Sequence, residues 1–314
     1  MIVTVTPNPS VDRTVFIDSL RRGAVLRSQR GWSEPSGKGV NVALALARHG
    51  CRAAAVLPVG GPGGAHLTEM LRHFGLAYRA VPVAGDVRIN VSLVEPDGTV
   101  TKINESGPAL TPAEVEALIA TSLDAASGST WLAGCGSLPG GVEASFYARL
   151  VTEGRRHGGR IAVDTSGPSL LEALAAKPDL IKPNRDELAE AVGTRPRTLG
   201  EAVEAAHELR ALGAGAVLAS LGADGVLLVD EDGVLHGTAR VERVVSTVGA
   251  GDALLSGFLA GGGRGRDALA LGLRWAAAAV QHQGTLFTVA GGSVTEPEIV
   301  VEDRFPDSAA LADD

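Results

Sequence analysis

The segment Ser246-Thr247-Val248-Gly249-Ala250-Gly251-Asp252-Ala253-Leu254-Leu255-Ser256-Gly257 gathers the most chemistry in the chain. Its glycines and the apolar helical run that follows place the bare backbone N–H groups of Gly249, Ala250 and Gly251 at a helix start, with one carboxylate beside them. The first N–H groups of a helix lack internal partners and the helix dipole is positive there, so such a turn holds an anion. Asp252 is a poor phosphate ligand on charge grounds. The chemistry that calls for an acid in this turn is removal of a proton from an attacking hydroxyl. Taken alone, the same residues also describe an ordinary N-cap, and other segments must separate the two readings. At a helix N-terminus the Asp252 carboxylate is expected to be stabilised in its charged form, which makes it a weak base.

A second group of residues lies near the start. Thr6-Pro7-Asn8-Pro9-Ser10-Val11-Asp12 closes a first apolar strand and delivers Asp12 into the loop at its end. Pro35-Ser36-Gly37-Lys38-Gly39-Val40-Asn41-Val42-Ala43 is a glycine turn running into an amphipathic helix. Lys38, between Gly37 and Gly39, stands where the backbone approaches a ligand closely and an ammonium reaches a phosphate. Asn41, one turn on, is placed to hydrogen-bond a hydroxyl in the same space. A Walker P-loop is excluded, because its spacing puts Trp32 at the first glycine position and Gly39 at the Ser/Thr position. The dinucleotide fingerprint, His-Glu-x-x-His and Gly-x-Ser-x-Gly are also missing, which argues against a zinc hydrolase or a serine esterase.

Two further segments follow apolar strands. In Lys182-Pro183-Asn184-Arg185-Asp186-Glu187-Leu188, Asn184 and Glu187 share a face of a first helical turn, which suits either water-mediated Mg2+ and phosphate contacts or a helix cap. Ser220-Leu221-Gly222-Ala223-Asp224-Gly225 is a glycine turn that a β-hairpin explains equally well.

These residues need a scaffold, and the chain has the length for one. Its 314 residues are 45% hydrophobic and 20% charged, ordinary values for a globular α/β protein with a sizeable core. A net charge of −8 carries no nucleic-acid footprint, so any cations that meet phosphate must be local. Lys38, Lys102, Lys177 and Lys182 are the only lysines. Cys51 and Cys135 form no metal or disulfide framework by spacing, no apolar run reaches the length of a membrane span, and the start reads as a strand rather than a signal peptide. The expectation is a cytoplasmic protein with no membrane or nucleic-acid partner.

From about residue 110 onward, helical patterns at 112–125, 142–157 and 198–212 alternate with apolar β runs at 130–133, 160–164, 179–181 and 215–220. Such alternation predicts a parallel sheet covered on both faces, with ligand sites at the C-terminal ends of its strands. The first 105 residues differ. Segments 11–17, 25–33, 87–95 and 98–104 read as strands, the last two joined by a turn at Pro96-Asp97-Gly98, while 39–49 and 64–74 read as helices returning to the main sheet. The inference is one domain over 1–314 with a small β subdomain, formed by roughly 11–36 and 86–105, that serves as a lid or a dimer contact. The tail after Asp303 is acidic, Ala-rich and expected to fray.

Together, Asn8-Pro9-Ser10-Val11-Asp12, Gly37-Lys38-Gly39-Val40-Asn41, Lys182-Pro183-Asn184 with Glu187, Ser220 to Gly225 and Thr247 to Asp252 resemble the ribokinase-like carbohydrate kinases of the phosphofructokinase B type. The likeness runs from near residue 1 to about residue 290. It implies a three-layer α/β/α body with a mostly parallel sheet and a β-sheet lid, with MgATP as donor. Gly37-Lys38-Gly39-Val40-Asn41 and Thr101-Lys102-Ile103-Asn104-Glu105 resemble most the members whose sugar already carries a phosphate, the 1-phosphofructokinases. What that implies is transfer of the ATP γ-phosphate to O6 of D-fructose 1-phosphate, with tagatose 6-phosphate or fructose 6-phosphate as the alternative acceptor. By the same resemblance Asp252 is the base and the 249–251 amides the anion hole. Among the substrate-binding residues it implies, Asp12 and Asn41 grip sugar hydroxyls beside Gly37, Lys38 and Arg88 take the sugar phosphate, and Lys102 and Arg27 are further partners. Asn184, Ser220, Gly222, Gly225, Thr247, Gly249 and Gly251 meet the nucleotide, and Glu187 meets Mg2+ through water. A homodimer formed through the lid is expected. Many relatives have glycine where Ser36 stands, and Ser36 is accommodated there with a negative φ or at modest strain. Gln281 to Thr285 is loosely patterned and assigns no base contact.

Overall fold

The computed structural model describes residues 1–28, 30–282, 284, 287 and 297–312. Strands β1 (Ile2–Val5), β2 (Ser10–Phe16) and β3 (Gly31–Ser36) lead into α1 (Lys38–Arg48), β4 (Ala53–Val59), α2 (Gly61–His73) and β5 (Ala77–Pro82). The hairpin of β6 (Arg88–Val94) and β7 (Val100–Ile103) precedes α3 (Pro112–Ala126), β8 (Trp131–Cys135), α4 (Phe146–Gly154), β9 (Arg160–Asp164) and α5 (Gly167–Ala175). Then come β10 (Leu180–Ile181), α6 (Arg185–Val192), α7 (Leu199–Ala211), β11 (Ala216–Ser220), β12 (Val226–Asp230) and β13 (Gly233–Arg240). The last elements are α8 (Ala250–Ala260), α9 (Gly265–Val280) and β14 (Glu298–Glu302).

A ten-stranded sheet runs in the order β14-β13-β12-β11-β10-β9-β8-β1-β4-β5. From β5 to β11 all neighbours are parallel, and β11 to β14 pair antiparallel. β1 and β8 are buried at every residue, as strands covered on both faces must be. One apolar core joins the sheet to α3 through α7, and a second joins its other face to α1, α8 and α9. The three-layer α/β/α expectation holds.

β1 is the point where the strand order reverses, with β4 on one side and β8 on the other. Ligands in open α/β sheets bind beyond the C-terminal ends of strands at such a point. The segments singled out in the sequence leave the sheet at that edge: Thr6 to Asp12 after β1, Lys182 after β10, and Ser220 at the end of β11.

A separate four-stranded sheet, in the order β3-β2-β6-β7, is built from the two expected lid segments. Its register sorts its side chains, since cross-strand partners share a face and successive residues alternate. Ser10 and Asp12 pair with Arg88 and Asn90, Glu34 stands opposite Asp12, and Lys102 stands opposite Ser92, so one face is polar. Val11, Ile89, Val91, Leu93 and Ile103 make up the other.

Two expectations are corrected. Of the expected strand 25–33 only Gly31 onward is strand, and residues 25–28 and 30, which include the exposed Arg27, have no regular structure. As far as Ala312 the tail is docked rather than frayed: Leu311 is buried in the main core, and Phe305 and Ala309 pack against it. Its acidic, Ala-rich composition hid these apolar anchors.

Candidate active site

The chain enters α8 through Gly249, at φ 80°, a left-handed conformation that favours glycine. The Ala250 N–H turns back onto Thr247 O at 3.3 Å. That corrects the expectation of three donors at 249–251: in this turn the N–H groups of Gly249, Gly251 and Asp252 meet no hydrogen-bond partner among the described residues. A Cβ built on Gly251 meets only the tip of Lys182, with Nζ at 3.2 Å. A helix N-terminus and the Lys182 ammonium, itself paired with Asp164, therefore converge on one open spot, which suits an anion.

Asp252 is buried on the first turn of α8 and lines this space. Asn41, on the first turn of α1, donates Nδ2–H to Asp252 Oδ2 at 2.7 Å. Ser256 Oγ lies 2.5 Å from Asp252 O and 3.3 Å from Val42 O, so α8 is stitched to α1 one turn further along. Asn41 thus holds the acid, where the sequence suggested a contact to a sugar hydroxyl. Burial, with the nearby Asp164 charge second, pushes the Asp252 pKa up to about 6. The expectation from the helix dipole is overturned, because the cost of desolvating a carboxylate exceeds what a half-charge at a helix end returns.

Four charges alternate in sign across the floor of the site. Lys182 Nζ lies 3.2 Å from Asp164 Oδ2, Lys38 Nζ lies 2.8 Å from Asp164 Oδ1, and Lys38 also reaches Glu187 Oε1 at 3.2 Å. Asp164 is fully buried, and burial opposes its charge, yet Lys182 and Lys38 hold its carboxyl below the usual range. Burial likewise works against the Lys38 ammonium, but Asp164 and Glu187 outweigh it and push its pKa up. Lys38 is therefore committed to two carboxylates at the junction of the site. The sequence had it reaching for a sugar phosphate.

Glu187 and Asn184 form a reciprocal capping box at the start of α6, each side chain accepting the other's backbone N–H at 2.8 Å. The cap reading of this motif holds, and Glu187 uses its second oxygen for Lys38. The Gly222–Asp224 turn joins β11 and β12 as the hairpin expected. Ser36 lies in β3 with a negative φ, and it is Gly37 that takes φ 115°.

A cleft of about 780 Å³ collects Lys38, Lys182, Asn184, Ser220, Gly222, Gly225, Thr247, Gly249, Ala250, Gly251 and Asp252. Its far wall is apolar, from Val226, Ala239, Val241, Leu254, Leu273, Ala276, Ala277 and Val280. Gln283 and Thr285, in the loosely patterned stretch, lie outside the described residues.

On the lid side, Asp12 Oδ1 accepts from Ser10 Oγ at 2.7 Å and from Asn90 Nδ2 at 2.9 Å. Arg88 donates to Glu105 O at 2.9 Å and to Asn8 O at 3.1 Å, and burial lowers its pKa against the pull of Asp12 and Glu105. It lines a second hollow of about 580 Å³ with Glu105, Ser106 and Gly107. Lys102 and Arg27 are exposed, and neither lines the cleft.

Residues 6–290 match the sequence model of the pfkB family carbohydrate kinases. The chain belongs to that family. Among curated relatives, the 1-phosphofructokinase of Haloferax volcanii is 43% identical over 91% of this chain and 92% of its own length. The 1-phosphofructokinases of Rhodobacter capsulatus and Escherichia coli K12 are 40% and 35% identical, covering 82% and 83% of both chains respectively. Among solved structures, phosphofructokinase-2 from Escherichia coli in complex with potassium aligns with a TM-score of 0.86 at 32% identity, over 91% of this chain and 94% of the other.

In this pfkB kinase, two residues that complete the site were missed as site residues from the sequence. In the sequence Lys182 stands out only as one of four lysines and as the start of a motif, and Asp164 only as the end of the apolar run 160–164. The available signal was an acid ending the buried strand Ile161-Ala162-Val163-Asp164, where a charge needs a partner. The site as built offers a proton acceptor with a raised pKa, unpaired amides and Lys182 around one open point, with Lys38 lining the same cleft. That is the equipment for moving a phosphoryl group onto an alcohol.

Proposed function

We propose that this pfkB kinase transfers the γ-phosphate of ATP to O6 of D-fructose 1-phosphate, giving fructose 1,6-bisphosphate. The observation that carries the reading is Asp252: a buried carboxylate aimed by Asn41 into a cleft where bare amides and Lys182 meet. In this reading the apolar wall takes the base, the glycine turns at 222–225 and 249–251 take the phosphates, and Asp252 receives the O6 proton. A loose transition state asks little of the base, so positioning and charge do most of the work. The Gly251 and Asp252 amides, Lys182 and Lys38 supply that charge. The choice of fructose 1-phosphate rests on the similarity to 1-phosphofructokinases over most of the chain.

ATP and Mg2+ are part of the proposal. Glu187 has both oxygens engaged, by Lys38 and by the Asn184 N–H, which fits a Mg2+ held by phosphate oxygens and reached from Glu187 only through water. When bound, the ion would offset the charge of the β- and γ-phosphates. The polar lid face, with Asp12, Asn90, Arg88 and Lys102, closes over the sugar, Asp12 taking a hydroxyl and Arg88 the phosphate.

The second reading is a fructose 6-phosphate kinase, favoured by likeness to Escherichia coli phosphofructokinase-2, whose complex with fructose-6-phosphate aligns with a TM-score of 0.83 at 30% identity. Fructofuranose is nearly symmetric between its two arms, so one pocket shape admits either monophosphate. Steady-state kcat/KM for fructose 1-phosphate, fructose 6-phosphate and tagatose 6-phosphate, measured side by side, decides between them. Fructose 1-phosphate is expected to lead by roughly tenfold or more, about 1.4 kcal/mol of transition-state binding. A lead for either 6-phosphate overturns the assignment.

A further inference from the structure

The chain after β14 returns to the body as a strap. Phe305 meets the His236 ring edge-on at 5.4 Å between centroids, Asp307 O and Ala309 O accept from Gly200 N–H and Leu199 N–H at 2.9 Å, and Leu311 N–H donates to Arg197 O at 2.8 Å. The strap ends on two loops of the cleft. Ala312 N–H donates to Asp224 Oδ2 at 2.8 Å, on the Gly222–Asp224 turn, and Ala312 O accepts from Arg185 Nη1. The other two Arg185 nitrogens donate to Pro196 O at 3.2 and 2.9 Å, and the side chain is 6% exposed.

Arg185 is the first residue of α6, enclosed in the capping box of Asn184 and Glu187. Its guanidinium has five N–H donors in a rigid plane and no acceptor, so once buried it must be surrounded by oxygens. Carbonyls from two distant stretches of chain, Pro196 and Ala312, meet that demand. The fork therefore fixes the start of α6 against the strap, and the strap holds the 222–224 turn through Asp224. Asn184, Arg185, Gly222 and Gly225 all line the cleft.

We infer that Arg185 is a positioning residue for the nucleotide, acting with the strap at Ala312 to set the distance between the start of α6 and the Gly222–Asp224 turn, which both line the cleft that receives ATP. This rests on placing ATP in the 780 Å³ cleft. No contact to the sugar side is involved, so the effect is confined to the donor.

The test uses Arg185→Met, which keeps the bulk and removes the donors, and a chain ending at Leu311, which keeps the buried leucine and removes Ala312. Each is expected to raise KM for ATP by roughly fivefold or more while KM for fructose 1-phosphate stays within about twofold. The two combined exceed the larger single effect by less than about twofold, because both break one tie. Equal rises in both KM values, an unchanged KM for ATP, or independent multiplication of the two effects overturns the inference. Should Arg185→Met fail to fold, the shortened chain is read by the same split. Wild-type enzyme without ATP turnover on any phosphorylated ketose would instead remove the proposed function, so the two failures are distinct.

Discussion

Asp252 couples activity and stability in opposite directions. As a proton acceptor it must be ionised, so with its pKa at about 6 the acid limb of kcat/KM is expected to fall about tenfold per pH unit below that point. A pH profile flat down to pH 5 removes it from the role. The folded pKa lies above the unfolded value of 3.8, so the stability it contributes is present below 3.8 and lost as pH rises through 6. At pH 7.5, Asp252→Asn is therefore expected to stabilise the fold, by on the order of 2–3 kcal/mol, while turnover drops by several orders of magnitude. Denaturant unfolding of both proteins at pH 7.5 and pH 4 checks the sign, since the gain should vanish at the lower pH. Lys38→Met leaves the buried Asp164 with one ammonium and the transferred group with one fewer cation. A loss in kcat of roughly 100-fold or more is expected. An intact kcat with only the sugar-phosphate KM raised would return Lys38 to the role its flanking glycines suggested.

Among the elements, the glycines separate folding from function. A Cβ on Gly39 would sit 2.4 Å from Thr6 Oγ1 and 3.0 Å from Val5 O, because α1 starts directly against the end of β1. Gly39→Ala is expected to cost about 1–3 kcal/mol, read by denaturant midpoint. Gly251→Ala meets only the flexible end of Lys182, and alanine is the better helix former. That variant should match wild type in stability to within about 0.5 kcal/mol yet lose roughly 100-fold in turnover, because the methyl stands where the anion goes. Loss of stability in place of activity would make the 249–251 turn a plain cap. Both segments looked alike in sequence, a Gly-x-Gly before a helix, and what lies across from each distinguishes them.

For the molecule as a whole, the exposed apolar face of the small sheet is what bears on assembly. Ile89 on β6 and Ile103 on the edge strand β7 are 42% and 56% exposed on its apolar side. Open edges and an apolar face are costly in water, and the proposal is that a second copy covers them. Escherichia coli phosphofructokinase-2 has been solved as a tetrameric inhibited form, and it is similar in fold to this chain. Sedimentation velocity at micromolar concentration is expected to give a dimer, and Ile103→Glu to shift it toward monomer. A monomeric wild type would leave the small sheet as a lid alone. Among the described residues no helix is long and apolar enough to cross a membrane.

Much of this arrangement was legible in the residues themselves. Alternating apolar runs and helical periods announced a parallel sheet, because burial on both faces writes a strand as a continuous apolar run. The glycine turns with their acid, lysine and asparagine announced the site, because bare amides and φ values such as the 115° of Gly37 leave few other residues possible. The partners of those side chains were not legible. Lys38 turning to Asp164 and Glu187, Asn41 turning to Asp252, and Arg185 reaching Ala312 span 126, 149, 211 and 127 positions of chain. Local spacing says where a charge sits, but its pKa and its task follow from burial and from whatever the fold brings within about 4 Å, and no local pattern encodes that.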